Sequence, residues 1–173
     1  MAVFLTTLLV YVGLAVMLAR GVSHEAVAAR RLGLGGGLAT GASWLLGLAP
    51  PGLAKGWVFL PLLIALIGPA LVATIAAHRA HDSRIARLTA LWSGLVAGLT
   101  VFIVWTSVTY ANSGGPYDVG LVNDFHKSGA HDLTTYAISD NLGSGLVLLL
   151  LIPTVATAVG SLSSRIFSAS RHG

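Results

Sequence analysis

Two histidines and two carboxylates fall within nine residues, in Asp124-Phe125-His126 and His131-Asp132. Imidazole nitrogen and carboxylate oxygen suit zinc, copper or nickel, and the same groups pass protons as acid and base. A divalent metal on Asp124, His126, His131 and Asp132 is therefore the one cofactor these residues suggest. Their spacing matches no defined metalloenzyme pattern, such as the paired histidines of HExxH. The competing account is a solvated acidic loop in which Asp132 caps a helix. No catalytic residue is assigned, and the non-enzymatic reading leads.

A second pair, His78 and His81, lies in His78-Arg79-Ala80-His81-Asp82. The two share a helical face, which permits metal binding or pH sensing. A polar helix end, with its basic residues favoured by the negative pole of the helix dipole, is the simpler account. The chain has no cysteine. Disulfides, thiolate-bound zinc, iron–sulfur clusters and thiol catalysis are thereby excluded.

The elements that must position these groups are set by composition. Of 173 residues, 55% are apolar and 9% charged. A soluble domain carries about 25% charge, so the chain lacks the polar surface of a water-soluble globule. Stretches long enough for a helix to cross a bilayer recur at residues 2–19, 32–49, 57–77, 88–110 and 143–164. The first lacks the basic start of a secretory signal and reads as an anchor. The second is the weakest because glycine fills so much of it, and Pro50-Pro51-Gly52 forces a turn after it. The expected fold is all-α: a five-span helical membrane bundle forming one domain.

Charge placement tests that count. With five spans, Arg20, Arg30, Arg31, Arg79, Arg84, Arg87, Arg165 and Arg171 all fall on one side, and Lys55 and Lys127 on the other. The positive-inside rule makes the arginine side cytoplasmic, with the N-terminus outside and the C-terminus inside. Trp57, Trp105 and Tyr110 then lie near the outer interface, Trp44 within two turns of it, and Trp92 near the inner one. The expected location is the cell membrane, and the net charge of +4 does not signal nucleic acid.

No span carries Asp, Glu, Lys, Arg or His in its interior. Proton pumps, ion-coupled transporters and voltage sensors depend on such groups, so all three are disfavoured. Pro69 and Pro153 are the main irregularities inside the spans, and each removes the hydrogen bond to a carbonyl four residues back, at Ala65 and Leu149. Kinks at similar depth can build a transport site, while proline in membrane helices also serves packing alone, with Thr154 or Thr157 near enough to assist the backbone.

Lipid gives helices no hydrophobic reason to pair, so small residues that allow close approach must supply contact. Gly33, Gly37 and Gly41 repeat at four-residue spacing, as do Ala90, Gly94 and Gly98, and Ala156, Gly160 and Ser164. These stripes predict tight packing within the chain or self-association with a second copy.

The segment 111–142 is the only connection long enough to form structure outside the bilayer. Asn112 to Pro116 reads as a turn. Asp132 then starts a short helix along the membrane surface, which Gly143 and Gly145 end by bending the chain inward. Its aromatic and branched residues, among them Val119, Phe125, Leu133 and Tyr136, predict order rather than a floating loop. The leading expectation is a small accessory, sensory or assembly protein whose outer segment contacts a partner. A small oligomeric transporter or channel using the two proline-bearing helices is second, and a membrane enzyme or metal site on the outer His/Asp cluster is third.

Overall fold

A computed structural model of the chain describes residues 2–21, 23–48, 59–80, 83–111, 117 and 119–169. The turn expected at 50–52, Trp57, Lys55, His81, Asp82, residues 112–116, Asp118 and Arg171 lie outside the described residues. The side chains of Ser164 and Arg165 also lie outside them. All described elements are helical. They are α1 (Ala2–Ala19), α2 (His24–Ala42, continued by a 3-10 helix Ser43–Leu48), α3 (Phe59–Ala80), α4 (Ser83–Ala111), α5 (Val119–Ser128) and α6 (Leu133–Ala169).

Glycine places α4 at the centre. A Cβ on Gly37 would sit 2.7 Å from Ser93 O and Val96 Cβ, and one on Gly41 would sit 2.7 Å from Thr100 Cβ. Gly33 meets Trp92 in the same way. Residue numbers rise together along this contact, so α2 and α4 run parallel. On another face of α4, a Cβ on Gly94 would lie 2.7 Å from Pro153 Cα, and one on Gly160 would lie 2.5 Å from Ala90 Cβ. Here the numbers run oppositely, so α6 is antiparallel to α4. The α4 and α6 stripes therefore pack on each other, while the α2 stripe packs on serine, valine and threonine. Helix α3 closes the group, with Gly36 against Val72 and Gly68 against Thr40.

Helix α1 is tied on separately. The Tyr11 hydroxyl donates to the Leu95 carbonyl of α4, and the Arg30 guanidinium donates to the Ala19 carbonyl over 2.7 Å. A side-chain donor at the end of α1 thus satisfies one of the carbonyls that a helix C-terminus leaves open. The path gathers Arg20, Arg30, Arg31, Arg79, Arg84 and Arg87 at one end of the bundle and leaves α5 at the other.

Two boundaries differ from expectation. Helix α2 starts well before residue 32, because Ser23 caps it: its Oγ accepts the Ala26 N–H at 3.2 Å, and Glu25 sits in the first turn beside the positive dipole end. Arg30 and Arg31 thus ride on the helix rather than on a loop. The inward bend at Gly143 and Gly145 does not occur, and the expected surface helix is the first part of an unbroken α6. A mid-helix glycine costs only about 1 kcal/mol relative to alanine, and Gly145 lets the helix approach Phe102, whose ring would lie 3.2 Å from a Cβ there. Continuation therefore wins.

Two stretches, Arg84–Ala111 and Leu133–Leu162, are long and apolar enough to cross a membrane. Leu5–Ala19 and Leu60–Ala76 are apolar but shorter.

Candidate functional site

Three places hold the residues singled out by sequence, and a fourth was not foreseen. At the α5 end, α5 and α6 form a helical hairpin. Gly129 turns the chain with φ of 70°, a left-handed conformation that suits glycine. Ser128 Oγ donates to Phe125 O at 2.7 Å and accepts the Ala130 N–H at 3.2 Å. Asp132 then caps α6, its Oδ2 accepting the Thr135 N–H at 2.7 Å. The Thr135 hydroxyl and then its backbone N–H hold the Asp132 carboxyl below its ordinary pKa. The Phe125 ring meets Tyr136 edge-on at 5.8 Å and fixes α5 against α6.

This hairpin orders the four proposed metal ligands without converging them. Asp124 points to Lys127, 3.8 Å away, with both side chains largely exposed. His126 and His131 are exposed, and Asp132 is engaged at the cap. Among the described residues no three His, Asp or Glu side chains group as a metal ion would require. At the opposite end His78 is exposed on the last turn of α3.

The second place is the level of the two prolines. Ser93 Oγ donates to Pro69 O at 3.1 Å, and the neighbouring Gly94 faces Pro153. Pro69 and Pro153 therefore flank α4 at adjacent residues, and all four positions are buried. The Leu149 carbonyl released by Pro153 lies 3.1 Å from where a Gly98 Cβ would stand, so glycine makes room for it. Thr154 and Thr157 donate to the carbonyls of Leu150 and Pro153, both at 2.7 Å, and not to Leu149.

The third place is the arginine end. Arg84 lies 3.7 Å from Glu25, joining the starts of α4 and α2. Trp92 is buried against Gly33 of α2. Trp105 donates its Nε1–H to Asn141 O at 3.0 Å and packs on Trp44 at 5.5 Å, near the α5 end.

The fourth is a groove of about 590 Å³ between α1, α4 and α6, lined mainly by apolar side chains. Sequence reasoning passed over it because α1 shows no amphipathic stripe. The available signal was Tyr11, a phenol alone in an apolar run that needs a partner for its hydroxyl. No family model matches the chain, and no curated protein or solved structure is similar to it.

Proposed function

We propose that this is a five-span protein of the cell membrane, with its N-terminus outside and its arginine end in the cytoplasm. We further propose that it acts as a non-catalytic accessory, sensory or assembly protein whose outer α5–α6 hairpin contacts a protein partner. Exposed apolar surface supports the membrane setting. Leu9 and Met17 of α1 are 72% and 74% exposed, and Ile75 of α3 and Val147 of α6 are 54% and 62% exposed. In water, so many exposed large apolar side chains would favour association. The clustering of six arginines at one end supports the orientation.

The partner reading rests on α5. It is an ordered helix with no buried residue, and Val119 is 77% exposed. An ordered, incompletely buried helix outside the bilayer presents a fixed surface at little further entropic cost. A photocrosslinking residue at Val119 should give a discrete heterologous adduct in intact cells, while one at lipid-facing Val147 should not. Adducts of twice the chain mass would assign the surface to self-association. Absence of any adduct at Val119 would remove the partner reading.

One observation favours a second reading, a small transporter or channel. The two prolines flank α4 at a common level, where α3 and α6 could flex together. Solute flux through liposomes holding the purified chain, lost in Pro69→Ala and Pro153→Ala together, would support it. Absence of flux for polar and ionic solutes would dismiss it.

A further inference from the structure

We infer that the groove between α1, α4 and α6 is a binding site for a single anionic phospholipid, with an acyl chain in the groove and the phosphate at Arg87. The inference rests on the chain lying in a bilayer.

The groove is built for an apolar chain. Val10 and Leu14 of α1, Leu91 and Leu95 of α4, and Leu150 and Ala158 of α6 line it. Four of its six hydroxyls donate to backbone carbonyls. Tyr11 donates to Leu95 O, Thr154 to Leu150 O, Thr157 to Pro153 O and Ser161 to Ala158 O. A polar solute would meet few donors, and a hydrocarbon chain would strand none. The volume of about 590 Å³ lies within the range of small-ligand sites, about 300–1,000 Å³. The lining residues Val10 and Leu14 of α1 are 66% and 40% exposed, so the groove is open along α1.

Charge complementarity selects the headgroup. Arg84, Arg87, Leu91 and Leu95 follow at spacings of three, four and four, so they form one stripe on α4. The face that lines the groove therefore continues toward the arginine end as guanidinium groups. Arg84 lies 3.7 Å from Glu25, and Arg87, exposed, stands one turn from Leu91 and so nearest the groove along the stripe. Arg20 follows the end of α1, and Arg30 of α2 reaches that end through the Ala19 carbonyl. Guanidinium binds phosphate oxygens through paired donors, and basic sites between membrane helices bind anionic headgroups. A zwitterionic lipid offers the same chain with no net charge, so it fits the groove and not the stripe.

The test uses the full chain in detergent, titrated with phosphatidylglycerol or with phosphatidylcholine of identical acyl chains, and read by native mass spectrometry. One phosphatidylglycerol should bind in preference to phosphatidylcholine. Arg87→Gln should weaken it about fivefold, a change of about 1 kcal/mol, while Arg31→Gln, at the same end but on α2, should have less effect. Ala158→Trp should fill the groove and reduce binding of both lipids, and Val10→Trp on the rim repeats that test if the first variant does not fold. Equal binding of the two lipids would overturn the inference. So would equal losses in Arg87→Gln and Arg31→Gln, or unchanged binding in the filled-groove variant. Resistance of the wild-type chain to alkaline extraction from membranes separates failure of the lipid site from failure of the membrane reading.

Discussion

Single atoms decide how close these helices come. At Gly94 a methyl would meet Pro153 Cα at 2.7 Å and Ala156 Cβ at 2.9 Å, and backbone cannot step aside as a flexible side chain can. Gly94→Ala should therefore destabilise the bundle by about 1–3 kcal/mol. Gly35 has nothing within 4 Å of a Cβ, and Gly35→Ala should be neutral or stabilise by up to about 1 kcal/mol through helix propensity. Thermal unfolding of both variants in one detergent checks the contrast. Asp132 gives a second prediction with a defined sign. Its pKa is lowered in the fold by Thr135, so the cap contributes above the unfolded carboxylate value of about 4 and is lost as pH falls through the lower folded value. The Thr135 amide proton shift should titrate with a midpoint below that of an ordinary aspartate, and Asp132→Asn should abolish the step.

At the scale of elements, residues 119–142 form two helix segments joined by a tight turn, and their order depends on a few contacts. Phe125 on Tyr136 is the main aromatic one. Such pairs contribute about 0.5–1.5 kcal/mol beyond burial. Backbone hydrogen exchange in a lipid nanodisc should therefore show α5 protected but less so than α6, with Phe125→Ala selectively accelerating residues 119–128. Uniform exchange within seconds across 119–142 would mean that the hairpin is not held. Helix α6 should show continuous protection through Gly143 and Gly145, because the helix is unbroken there.

For the whole molecule, antiparallel and parallel contacts fix which helix ends lie together, and the proposed membrane setting adds a sidedness that can be tested. The chain has no cysteine, so single introduced thiols report sidedness directly. Ser128→Cys, on α5, should react with an impermeant thiol reagent on intact cells, and His24→Cys, at the start of α2, should react only after permeabilisation. The reverse pattern would invert the orientation while leaving the bundle unchanged. Reaction of both on intact cells would contradict a shared bilayer between the two ends.

The sequence alone determined the local quantities: helical character, the absence of charge from long apolar runs, the four-residue glycine spacing and the Asp132 cap. Each follows from residues within a turn or two of one another, where propensity and periodicity act. It also placed eight arginines outside the apolar runs, and the six whose side chains are described lie at one end of the bundle. It did not determine partners. The glycine stripes of α4 and α6 face each other, while that of α2 meets Ser93, Val96 and Thr100, and only the path of the chain selects between these outcomes. The start of α2 follows from a local signal, the Ser23 cap, that the apolar run did not reveal. Helix α6 starts at the Asp132 cap as expected and runs on through Gly143 and Gly145, where Gly145 packs on Phe102. Asp124, His126, His131 and Asp132 are near in sequence but do not group as a metal ion would require, since a helix and a tight turn fix side-chain direction more strongly than sequence distance does. The groove beside Tyr11 exists only because three helices distant in the chain leave space between them, and no window of sequence contains that space.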